Sequence, residues 1–145
     1  MTRPRGDDGT ILLLVLGFAA ILLVLVAVVV DVSAVILARR GAASAADGAA
    51  VAAAQQLDEP AVYANGLGSE IPLSPDLVQQ IVSDYGARAA QSQEGLELSA
   101  SLDPAQTTAT VAASREITLP FAGWLGIGHV TVTAIAHARA PLVKP

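Results

Sequence analysis

Residues 10–30 read TILLLVLGFAAILLVLVAVVV, with no charge between Asp8 and Asp31. As a helix rising 1.5 Å per residue the run is about 31 Å long, the thickness of a bilayer hydrocarbon core. A cleavable secretory signal has an apolar region of about 7–15 residues with a small-residue cleavage site close behind it. This run is longer, and the alanines able to form such a site, Ala52 and Ala54 among them, lie far beyond it. Burial in a soluble core is the other alternative, but a chain of 145 residues has too little other mass to surround a helix that is apolar on every face. The run therefore predicts an uncleaved signal anchor that crosses the membrane once over 10–30, behind a short tail over 1–9.

Arg3 and Arg5 precede the span and Arg39 and Arg40 follow it, so counting alone does not orient the helix. The first pair is nearer to the apolar run, whereas Arg39 stands roughly 13 Å beyond its end along a helix. The nearer cluster should stay inside. This places the N-terminus in the cytoplasm and everything after the span outside it.

Hydrophobic residues make up 53% of the chain and charged residues 14%, outside both the ordinary soluble and the disordered composition. Eight Lys and Arg against 13 Asp and Glu give a net charge of −5, which lacks the basic footprint that a nucleic-acid partner needs. The absence of cysteine excludes disulfides, thiolate metal sites and cysteine nucleophiles. His129 and His137 are eight apart on one predicted strand, roughly 27 Å from end to end, too far to share a metal. Carboxylates such as Glu94 and Glu97, or Asp76 and Asp84, read as solvated side chains. Nucleotide-binding glycine motifs, nucleophile elbows and zinc-protease motifs are missing from the sequence. Neither a cofactor, a metal nor catalysis is expected.

Beyond the span, the absence of proline before Pro60 and a wealth of strong helix formers continue the helix as an alanine-rich stalk over 31–58. Gly41 and Gly48 are its weak points. Ala34, Ala38, Ala42, Ala45, Ala46, Ala49, Ala50 and Ala53 recur at steps of three and four, a stripe without side-chain bulk that another backbone can approach closely. Two occupants fit it equally well: a second helix, giving a homo-oligomer, or the chain's own head. Residues 59–73, with two prolines and Asn65-Gly66, carry turn chemistry and read as a linker.

The head is expected over 74–145. Ser74, Pro75 and Asp76 read as the cap and first turn of an amphipathic helix reaching about residue 92. From Leu96 the period changes to two, predicting strands over 96–102, 107–119 and 128–140 joined as an antiparallel meander, with the helix on their apolar face. The fold class is thus α+β: a long transmembrane helix continued by a stalk, then one helix on a three-stranded antiparallel sheet. The connection over 120–128, PFAGWLGIG, is out of character for a polar hairpin turn. Phe121, Trp124, Leu125 and Ile127 either fold back on the small core or form a contact surface for a partner subunit or the membrane interface.

Several stretches follow one another in a recognisable order: Arg5-Gly6, Gly9-Thr10, Val30-Asp31, Leu37-Ala38-Arg39-Arg40 and Ala45-Ala46-Asp47-Gly48-Ala49-Ala50. Over about residues 5–55 the chain resembles the N-terminal segment of the TadE/TadG-like proteins of the tight-adherence (Flp) pilus assembly system. Where that family often has Gly-Arg and an aromatic, this chain has Ser33-Ala34 and Ile36. Prepilin-type processing would fall after Gly6, yet Ile11 stands where the pseudopilin branch carries a glutamate, so the chain is expected to keep its full length. Asp31-Val32-Ser33-Ala34-Val35 does not match the metal motif of the long adhesin-like members, which makes this a short form.

The resemblance implies a structural part in assembling or secreting a surface pilus, with the bilayer, other pilus-assembly or pilin-like subunits, a secretion ATPase and platform proteins as partners. Asp31, Arg39, Arg40 and Asp47 are then the candidate assembly or boundary residues of the helix. A single-pass extracytoplasmic binding or sensor module is the alternative from a different class, and an anchored enzyme a more distant one.

Overall fold

The computed structural model describes residues 8–65, 71–126 and 128–140. Helix α1 (Asp8–Ala53) is continuous through Gly41 and Gly48. Its first half stands clear of the rest of the protein: Leu14 and Leu23 keep 73% and 71% of their surface bare, which rules out the buried core helix. Among the described residues it is the one helix long and apolar enough to cross a membrane.

The second half of α1 is different. Ala38, Ala42, Ala45, Ala46, Ala49, Ala50 and Ala53 are all buried, because the head folds back along this stripe. The head begins with α2 (Glu59–Asn65), a short helix inside the segment whose turn chemistry predicted loop. Asp58 explains it: its Oδ1 accepts the Ala61 amide at 3.0 Å, and Pro60 sits in the first turn where a missing N–H costs nothing. Backbone bonds then fasten the return of the chain, from Asp58 N to Pro72 O at 2.9 Å and from Ser74 N to Gln56 O at 2.9 Å.

Helix α3 (Pro75–Ala90) starts where Ser74 and Pro75 place it and buries Val78 and Val82. Strands β1 (Leu96–Leu102), β2 (Thr108–Thr118) and β3 (His129–Arg139) pair in that order, all antiparallel, with Leu98 opposite Ala113 and Val111 opposite Ala136. The inner face is covered by two helices: α3 packs on β1, and α1 lies on β2 and β3. The head is thus one helix on a three-stranded antiparallel sheet, as expected, and of the two occupants left open for the alanine stripe it is the chain's own head that fills it. The inward residues of β2 and β3 include Ala109, Ala113 and Ala136, and so shallow a surface is filled best by an equally shallow helix. Among the described residues the buried core cluster is ten alanines with Leu73, Val78, Val82, Leu96 and Val111 for bulk.

Between β1 and β2 the turn is tied by Asp103. Its Oδ1 accepts the amides of Thr107 and Thr108 at 2.7 and 2.8 Å, and its Oδ2 accepts the Thr107 hydroxyl at 3.2 Å. These bonds, the Thr108 amide first, hold the carboxyl below its ordinary 3.8. A depressed folded-state value means that the stabilisation is present above about 3.8 and is lost as pH falls through the lower folded value. The protection of the Thr107 and Thr108 amides, taken against the unfolded-chain exchange rate at the same pH, should accordingly be high at neutral pH and fall on acidification in that range; equal protection on both sides of it would remove Asp103 as the tie.

Candidate interaction site at Asp31

The end of the head nearest the apolar half of α1 is organised by one carboxylate. Asp31, the first charge after the apolar run, accepts the Phe121 amide on Oδ1 at 3.0 Å and the Ala122 amide on Oδ2 at 2.8 Å. These amides open a 3-10 turn (Ala122–Leu125) between β2 and β3, and no side chain of the turn's own cap position bonds them. The start of any helical turn leaves N–H groups without internal partners, and Asp31 supplies the acceptors from another element. Gly126 closes the turn at φ 81, a left-handed conformation that glycine adopts without strain, and Leu119 N bonds Gly128 O at 3.0 Å below it.

This contact joins two features that are ninety residues apart. A carboxylate at the end of an apolar helix and an apolar hairpin connection are each odd alone, and each supplies what the other lacks. Phe121 remains 45% exposed. Trp124 and Leu125 belong to the same turn, while Ile127 and the possible processing site at Gly6 lie outside the described residues. Arg39, Arg40 and Asp47 are exposed on α1 and are not drawn into this contact.

The helix–head seam also gives Gly41 and Gly48 a part other than the weak points that the sequence made of them. A Cβ at Gly48 would stand 2.9 Å from Tyr85 Cζ, and one at Gly41 would stand 2.6 Å from Gln93 Oε1. Both glycines therefore mark close approach of α3 and the segment after it, which a helix-weakening reading does not foresee. Next to them runs an open groove of about 330 Å³ lined by Ser44, Tyr85, Arg88 and Gln93. Its cation is turned back on its own helix, Arg88 Nε donating to Asp84 O at 3.1 Å, so the polar groups do not converge on a ligand. On the outer face of the sheet, Thr110 Oγ1 and His137 Nδ1 are 2.8 Å apart, and the exposed His129 lies 3.5 Å from Glu116. Among the described residues no group of His, Asp and Glu is placed to hold a metal.

Residues 9–56 match the family described as Flp pilus-assembly TadE/G-like. Over this third of the chain the protein is similar to that family. The resemblance read from residues 5–55 is thus shown over nearly the same stretch. The TadE/G-like segment coincides with α1 and the three residues beyond it, so it contributes both the membrane-length apolar half and the alanine seam of the head. Asp31 lies inside it, and the loop that Asp31 holds lies outside it. No curated protein and no solved structure matches the chain.

Proposed function

We propose that the protein is a membrane-anchored structural component of a tight-adherence (Flp) pilus or of a related secretion apparatus, acting through contacts of its helix and head without catalysis. The observation that carries this reading is a TadE/G-like segment folded as one unbroken helix, half of it bare and apolar and half of it the backbone of a small head. Such a build anchors the head rigidly, since no hinge separates span from stalk. The arginine pair nearest the span supports an N-terminus in the cytoplasm and a head outside. Asp47, Arg39 and Arg40, exposed on α1, are the polar contacts that the helix offers to neighbouring subunits.

Affinity purification of the full chain from detergent-extracted membranes, followed by mass spectrometry, tests the reading. Secretion ATPase, platform or pilin-like subunits should co-purify, and a reporter fused after Pro145 that works only outside the cytoplasm should be active. Recovery of the intact chain without any of these subunits would overturn the pilus role; a silent reporter at normal expression would reverse the orientation.

A further inference from the structure

The β2–β3 connection has a property that a role in pilus assembly does not require. From 119 to 128 the chain carries no charge, and Phe121 is left 45% exposed. Its height along α1 is fixed by the two bonds to Asp31. Because residues 10–30 have the length of a hydrocarbon core, Asp31 stands where the helix leaves that core, and the loop stands beside it. Ala27, one turn lower on the same face, is half-buried while Ala19 and Ala20 are exposed, so the head reaches past Asp31 toward the apolar run. At that boundary a carboxylate costs far less than at the bilayer centre, while the two amides at the start of the turn still need acceptors beside an apolar run, and Asp31 supplies them.

We propose that this loop is a second membrane contact, inserted shallowly into the headgroup region beside α1, with Asp31 as the residue that positions it. The inference rests on the reading of α1 as a membrane span. The occupant is lipid because the loop is continuous with the bilayer-length helix and faces the same medium. Aromatic side chains are favoured at that boundary, where one part of the ring stays dry and another stays wet.

Trp124 is the chain's one tryptophan and reports on this turn. The full chain is reconstituted in phosphatidylcholine and phosphatidylglycerol vesicles containing lipid brominated either near the glycerol end or near the tip of the acyl chains. Trp124 should be quenched at least roughly twofold more by the shallow bromines than by the deep ones, as an interfacial aromatic would be. Asp31→Ala should remove half or more of that quenching and open Trp124 to acrylamide in the water. A second chain, Leu23→Trp in a Trp124→Phe background, reports on the span itself. If that probe is quenched by deep bromines and Trp124 by neither lipid, the span stands and the inference fails, whether the loop then packs on the core or waits for a partner subunit. If neither probe is quenched, the membrane reading of α1 falls and takes the inference with it.

Discussion

Leu73→Ala should destabilise the head by about 3–5 kcal/mol, in the upper part of the range for a buried leucine. Among the described residues, Leu73 is fully buried and is one of the four largest side chains with that status, beside Val78, Val82 and Val111. How much a cavity costs depends on how far its surroundings can collapse into it. Here most of the core cluster is alanine, which has no side-chain length to swing inward. The residue also sits where three parts of the chain are sewn together: it bridges to Leu57, and its amide donates to Gln106 O at 2.7 Å. Against a total stability of about 5–15 kcal/mol for an ordinary domain, the loss is a large fraction. Thermal unfolding of the detergent-solubilised chain, followed by circular dichroism of the sheet, measures it. Leu77→Ala, on α3 at a position 44% exposed, is the control and should cost well under half as much. Similar losses for the two would mean that Leu73 is not the packing centre of this core.

Periodicity made most of the fold legible. The uncharged run, the Ser74-Pro75 start of α3 and the alternation from Leu96 each have a local cause, and the three strands fall within a residue of where that alternation placed them. What periodicity did not resolve was the occupant of the alanine stripe. A small-residue face looks the same whether a second helix or the chain's own sheet approaches it. A signal was nevertheless present in Ala109, Ala113, Ala134, Ala136 and Ala138, whose matching smallness on β2 and β3 called for a partner able to come close. The α2 helix was hidden because Pro60 and the asparagine-glycine step drew attention from Asp58, an ordinary N-cap.

The bond between Asp31 and the β2–β3 loop lay beyond any local reading. Its two partners are separated by the whole head, and nothing in either stretch names the other. It becomes intelligible only once the strands are seen to run along the second half of α1. Eleven residues of β2 extend about 36 Å, and the helix from Asp31 to Ala53 extends about 33 Å. A sheet fastened at the Ala53 end, where Leu73 N bonds Gln106 O and Ala140 N bonds Thr107 O, therefore delivers its opposite turn to Asp31. The alanine seam sets the separation of helix and sheet, and that separation puts two backbone amides within reach of a short aspartate side chain.

That seam gives the second large effect. Ala46→Leu should lower the stability of the head by about 3 kcal/mol, the upper end of the usual cost of overpacking. Ala46 has no exposed surface, and the sheet opposite it presents alanines that cannot be made smaller. Three extra heavy atoms must then push α1 away from β2 and β3, which opens the contacts of its neighbours Ala42, Ala49 and Ala50 along the same stripe. Val51→Leu, on the outward side of α1 at 55% exposure, adds bulk without meeting the sheet and should change stability by less than about 0.5 kcal/mol. Denaturant unfolding of the solubilised full chain separates the two substitutions, and cross-linking of the same samples gives their oligomeric state. A homo-oligomer built on this stripe would show the reverse pattern, an unchanged unfolding midpoint with fewer cross-linked species for Ala46→Leu. Because the stripe between Ala42 and Ala53 is already occupied by the head, a second copy could meet α1 only elsewhere, on its bare half before Asp31 or on the exposed side that carries Arg39, Arg40 and Asp47.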